Sequence, residues 1–290
     1  MPEVGPMNSG NIRADHYVCF FQLLSLFLYL FTADNLHRFF VGAMCAAGTL
    51  NVNSFGYPTL VLKILNFLAA GTWLIINHVD NRAPDYPLIR GKYLFILILT
   101  PFVVGETVLL ANYLLRLNPD IITSCCGALF SAGSATLQSG LAALPAKPMM
   151  GLFYLSMASS IASGLYFLRS GRGVYLFSVL ALVALPVSVA SVISFISLYF
   201  YDLPTHHCPF CILQREYSYV GYLLYMTLFG GGLCGIGVGA LTPVAKLETL
   251  RHVIPSVRRR LALMTIVFYL VFTAIATYRI IASPLVLLPR

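Results

Sequence analysis

The sequence predicts an all-α membrane protein, a polytopic bundle of about seven transmembrane helices with the N-terminus cytoplasmic. Two observations carry that prediction. Of 290 residues, 59% are hydrophobic and 10% charged, where soluble domains carry about 25% charged residues. Apolar runs long enough to cross a hydrocarbon core of about 30 Å also recur from end to end.

Taken in order, the first sixteen residues are polar and an apolar run, Tyr17–Ala33, follows. Phe31-Thr32-Ala33-Asp34 is a poor cleavage site, so this run reads as an uncleaved anchor helix. The remaining spans are Pro58–His78, Lys92–Leu117, Pro148–Leu168, Val174–Tyr199, Tyr217–Leu241 and Leu261–Ile281. Turn chemistry separates them at Asn81-Arg82-Ala83-Pro84-Asp85-Tyr86-Pro87, Arg169-Ser170-Gly171-Arg172-Gly173 and Leu241-Thr242-Pro243. No repeat is evident and no soluble unit fits between the spans, so residues 1–290 read as one integral-membrane domain.

The net charge of +8 reads as membrane orientation, because the basic residues sit in short loops and form no aromatic-lined surface for nucleic acid. Arg13, Arg82, Arg90, Lys92, Arg169, Arg172, Lys246, Arg251 and Arg258-Arg259-Arg260 fall on one side. The other side carries Arg38, Arg116, Lys147, Arg215, Arg279 and Arg290. The heavier side is cytoplasmic by the positive-inside rule, which places the C-terminus outside. That sorting uses no cysteine, yet Cys45, Cys125, Cys126, Cys208 and Cys211 all fall in outer loops, on an oxidising face. Cys19 and Cys234 lie inside spans, where thiols pack as small hydrophobes.

His206-His207-Cys208-Pro209-Phe210-Cys211-Ile212-Leu213-Gln214-Arg215 is the densest chemistry in the chain. Pro209 suits a first helical position, so the pair is expected where a helix begins and its dipole stabilises a thiolate. Arg215, four residues after Cys211 and seven after Cys208, would then share their helix face, about 6 Å below the nucleophile. A static disulfide across so small a ring gains little chain entropy. A zinc or copper site with His206 and His207 is the competing use of the pair. Covalent c-type haem does not fit, because Ile212 stands where a histidine would follow.

Cys208-Pro209-Phe210-Cys211-Ile212-Leu213-Gln214-Arg215 entering an apolar helix resembles the signature of the disulfide bond formation protein B (DsbB) family. Those bacterial inner-membrane enzymes oxidise a periplasmic thiol oxidase and pass the electrons to quinone. The resemblance implies redox roles for Cys208 and Cys211 and places Arg215, with Gln214, against a ubiquinone or menaquinone. It also implies an extracytoplasmic thioredoxin-like partner and a multi-pass location in the bacterial inner membrane. It covers only the motif and its flanking spans. Family members have four spans and a second reactive pair in a later loop, whereas here no cysteine follows Cys234. A second pair must therefore come from Cys45, Cys125 and Cys126. A vicinal bridge is strained, so Cys45 with Cys125 or Cys126 is the expected pairing.

The outer loop Asn118–Lys147 is rich in Ser, Gly and Ala, and Ala128–Leu144 is expected to form a short interfacial helix. Ser124-Cys125-Cys126-Gly127 is similar to the vicinal cysteines of mercuric ion transporters. The rival function is accordingly a soft-metal (Hg, Cu, Zn) binding or transport protein using the same cysteines. Glu106, the carboxylate deep in the third span, is expected to be protonated or paired, either with an Asn or Tyr of a neighbouring helix or as a proton donor to quinone. Gly231, Gly235 and Gly239 predict close helix approach, and Arg258-Arg259-Arg260 predicts a membrane-surface anchor.

Overall fold

A computed structural model describes residues 6–123 and 144–285. In chain order the helices are α1 (Pro6–Leu36), α2 (Ala46–Leu50), α3 (Gly56–Asp80), α4 (Ile89–Leu115), α5 (Ala146–Ser170) and α6 (Val174–Ser191). A π-helical turn, Val192–Ile196, joins α6 to α7 (Ser197–Tyr201). Then come α8 (Val220–Ala240) and α9 (Ile254–Ala282). Among the described residues, seven helical segments are long and apolar enough to cross a membrane, and they overlap the seven predicted spans one for one.

The first four helices are joined by polar clamps. Along α4 the buried residues are Lys92, Leu99, Glu106 and Tyr113, one stripe at every seventh position. Three of those four are polar, and each finds a partner across the seam. Lys92 Nζ lies 2.6 Å from Asp80 Oδ2 and donates to Asn77 Oδ1 at 2.8 Å. Glu106 pairs with Lys63 at 2.6 Å and accepts from Asn66 Nδ2 at 2.5 Å. Tyr113 Oη donates to Thr49 O at 3.2 Å. Lipid is as apolar as leucine, so burying leucine between helices gains little in a bilayer and hydrogen bonds contribute more to holding them together.

The remaining long helices close on each other through small residues. Gly231 faces Tyr269 of α9, whereas Gly235 and Gly239 face Ala181 and Ser178 of α6. A side chain at any of the three would run into its neighbour, so the glycine spacing does serve helix packing. Tyr269 Oη then donates to Ala181 O at 2.6 Å, which ties α9 to α6.

The two poles of the bundle differ in chemistry. At one pole Val79, Ala83, Phe167, Phe177, Leu241, Leu250 and Val257 pack into one cluster, at the end of the bundle where Arg82 and Arg172 lie in loops and Arg169 and Arg258 in the adjoining helix ends. At the other pole lie Cys45 and the 202–219 loop that carries Cys208 and Cys211. The described cysteines outside the long helices and the basic loops thus sort to opposite ends. Cys19 packs with Trp73 and Leu99, and Cys234 packs within the basic-pole cluster.

Candidate functional site

The segment between α7 and α8 is bounded by residues in the left-handed region, Asp202 (φ 53°) at its start and Ser218 and Tyr219 (φ 54° and 56°) at its end. The motif therefore does not begin a helix. Cys208 precedes two short 3₁₀ turns, Cys211–Leu213 and Arg215–Tyr217, and α8 starts only at Val220. The helix-dipole stabilisation expected for Cys208 and Cys211 is absent, and neither shares a helix face with Arg215.

Tyrosine hydroxyls hold the motif in place of a helix. Tyr201 Oη donates to Cys208 O at 2.6 Å and accepts the Ile212 N–H at 3.0 Å. Tyr225 Oη donates to Pro209 O at 2.6 Å. These bonds satisfy buried backbone groups that a helix would otherwise satisfy internally. Gly221 lets α8 approach closely, since a Cβ there would lie 2.7 Å from Ile212 O.

The loop is also tied to the π turn. A π turn widens the helix and disturbs its carbonyl pairing, and here Ile193 O accepts from His207 Nδ1 at 3.0 Å. His207 thus anchors the loop. His206 is the histidine beside the sulfurs, with Nε2 3.3 Å from Cys211 Sγ and its ring edge-on to Tyr201. Burial lowers the His206 pKa, and His207 adds to the effect.

Cys45 comes from the other half of the chain. It caps α2, whose five residues are all buried. Its backbone neighbour Ala46 donates its N–H to Asp34 Oδ1 at 3.3 Å, and Gln214 Nε2 donates to Met44 O at 2.6 Å. These bonds bring Cys45 Sγ to 3.3 Å from Cys208 Sγ. The sulfurs of Cys45, Cys208 and Cys211 all lie within 4.8 Å of one another, and the residues are 0%, 1% and 6% exposed. Such a cluster can exchange disulfides or hold a soft metal ion.

Cys208 is the central sulfur electrostatically. Its hydrogen bond with Cys211 and then its burial hold the thiol well above the ordinary range, while the contacts from Cys45 and the Phe210 N–H act the other way. Cys208 therefore ionises late and suits the role of the sulfur attacked, whereas the sequence had suggested a stabilised nucleophile.

Two cavities flank the cluster and share no lining residue. One, of about 220 Å³, is walled by aliphatic and aromatic side chains of α1, α3, α6, the π turn and α8, including Ile64, Ile193 and Tyr225, and reaches the motif at Pro209 and Phe210. The other, of about 390 Å³, is polar and is lined by Asp34, Arg38, Met44, Gln214, Arg215 and Glu216. Arg215 and Gln214 thus belong to the polar cleft and not to the apolar cavity at the sulfurs.

Cys125 and Cys126, their pairing with Cys45, and the Ala128–Leu144 helix lie outside the described residues. Glu106 is paired, and its asparagine partner was foreseen in kind. Lys63 was not, although a lone lysine in one span and a lone glutamate in the next signal such a pair. Tyr201, Tyr225 and His207 carry no recognisable pattern, since their partners are backbone groups 7 to 16 residues away, outside helical spacing. No family model, curated protein or solved structure matches the chain.

Proposed function

We propose that the protein is a DsbB-like membrane thiol–disulfide oxidoreductase that passes electrons from an extracytoplasmic thiol partner to a membrane quinone. The observation that carries this reading is the mutual approach of three buried thiols, drawn from two loops, beside an apolar cavity among the spans. In the oxidised enzyme Cys208 and Cys211 share a disulfide. The Cys45 thiolate attacks Cys208 Sγ; the Cys208–Cys211 bond breaks, the Cys45–Cys208 bond forms, and Cys211 leaves as a thiolate that takes up a proton. A second thiol, from Cys125, Cys126 or the partner, then attacks Cys45, forming a disulfide with it and releasing Cys208 as a thiol. The partner's remaining thiol chemistry resolves that disulfide, so the partner leaves with its two thiols joined and Cys45 returns as a thiol.

The reduced pair is reoxidised by quinone. The Cys208 and Cys211 thiols give two electrons and two protons, forming their disulfide and the quinol. Ubiquinone or menaquinone carries an isoprenoid tail, and a cavity walled by aliphatic and aromatic side chains suits it better than it suits an ion crossing the membrane. That cavity, reached at Phe210, is the acceptor's place in this reading, so Arg215 and Gln214 act at the partner's side of the site. In this reading, which takes the bacterial inner membrane from the resemblance, the positive-inside rule orients the basic pole toward the cytoplasm and the thiols toward the periplasm.

The test is quinone-dependent oxidation of a reduced thioredoxin-like protein by the purified protein in lipid nanodiscs. Turnover that disappears in Cys208→Ser supports the proposal. A wild-type protein that leaves the quinone oxidised refutes it.

A further inference from the structure

The ligand set suggested by the motif alone, two cysteines with the histidines before them, is not the one the fold assembles. His207 is bound to Ile193 O, and among the described residues the mutually close donors are three sulfurs, Cys45, Cys208 and Cys211. We propose that the reduced protein binds one Cu(I) ion in a three-coordinate site made by these thiolates.

The geometry favours three-fold coordination. A metal with thiolate bonds of about 2.3 Å in a trigonal plane holds its sulfurs about 4 Å apart. The observed separations are compatible with that value, Cys45 and Cys208 lying 3.3 Å apart and every pair within 4.8 Å. Zinc in structural sites takes four ligands, and the nearest imidazole, that of His206, contacts Cys211 instead of completing the group. An all-sulfur, three-donor, buried site selects a soft cation of the Cu(I) class. Binding displaces the thiol protons, and the Phe210 N–H facing Cys208 Sγ offsets part of the negative charge left on the sulfurs.

An ion held by all three sulfurs excludes every disulfide among them. Cu(I) and the thiol–disulfide cycle therefore compete for the same atoms, and the oxidised protein has no site for the metal. The inference stands on the sulfur geometry and does not require quinone to be the electron acceptor.

The experiment is an anaerobic Cu(I) titration of the reduced full chain in nanodiscs, in competition with bicinchoninate, with X-ray absorption on the one-equivalent complex. One ion per chain is expected, with three sulfur neighbours near 2.3 Å. Cys45→Ser should weaken binding by more than the roughly 10–100-fold that losing an outer-shell partner costs. Cys19→Ser, Cys234→Ser and the Cys125→Ser/Cys126→Ser double variant should bind as wild type. The absorption spectrum is read on wild-type protein, so a Cys45 variant that misfolds does not remove the test. Nitrogen or only two sulfurs around copper overturns the inference, as does a loss confined to the Cys125/Cys126 variant. A protein that reduces quinone but binds no Cu(I) retains the redox reading and loses this one; the reverse result does the opposite.

Discussion

Helices α1–α4 and α5–α9 solve the same problem with different chemistry. The first group buries Lys63, Glu106, Asp80 and Lys92 and joins its helices by ion pairs and amide bonds. The second joins its helices by backbone approach at Gly231, Gly235 and Gly239. A polar clamp fixes register and depth, because each charge has one partner and an unpartnered charge in hydrocarbon is costly. A glycine seam fixes distance and lets neighbouring helices press together. Cys45 belongs to the first group and Cys208 and Cys211 to the second, so the reactive cluster depends on both.

The largest effect should come at that junction. Cys45→Ser is expected to abolish partner-driven turnover yet keep a single reduction of quinone by the Cys208–Cys211 dithiol, measured as quinol formed per chain. Cys19→Ser and Cys234→Ser, inside the helices of each group, should turn over as wild type. Equal loss in all three would break the distinction between junction and interior.

Next in size is the clamp. Glu106→Leu leaves Lys63 buried without its carboxylate and should cost about 3–5 kcal/mol in an equilibrium unfolding titration in mixed micelles. Adding Lys63→Met should recover most of that. The glycine seam should respond to bulk and not to charge: Gly235→Leu is expected to cost about 1–3 kcal/mol, with no rescue from any charge change.

A smaller effect is expected at Tyr201→Phe, which leaves the buried Ile212 N–H without its acceptor at a cost of roughly 1–3 kcal/mol and loosens the motif loop. Its readout is faster alkylation of Cys208 at unchanged protein concentration. The smallest is a matter of pH. The Cys208 pKa is raised above its ordinary value of 9.0, so in the reduced protein its thiolate fraction, and hence its alkylation rate, should still be climbing above that pH. An alkylation profile that levels off below 9.0 contradicts the assigned order of ionisation.

The spans were legible because hydrocarbon thickness writes itself as run length, and the sorting of cysteines against Lys and Arg was legible because charge is counted loop by loop. The nearness of Cys45 to Cys208 was not, since 163 residues separate them and no local pattern records that approach. Pro209 misled for a physical reason. Proline favours a helix start, but here the hydroxyls of Tyr201 and Tyr225, on the helices either side, satisfy the backbone of Cys208, Pro209 and Ile212, and no α-helix begins until Val220. Lys63 lies inside a span, where a count of charge by loops does not reach, and the partner of Glu106 is hidden for that reason.

The most direct test of the three-thiol relay is disulfide mapping after one turnover. Reduced Cys125→Ser/Cys126→Ser protein in nanodiscs, with Cys45, Cys208 and Cys211 intact, is mixed anaerobically with one equivalent of quinone, quenched in acid, alkylated and digested. The relay predicts one quinol per bridge, with a Cys45–Cys208 disulfide and alkylated Cys211 present beside the Cys208–Cys211 disulfide. Cys45 recovered only in alkylated form, with no bridge to Cys208, would contradict it.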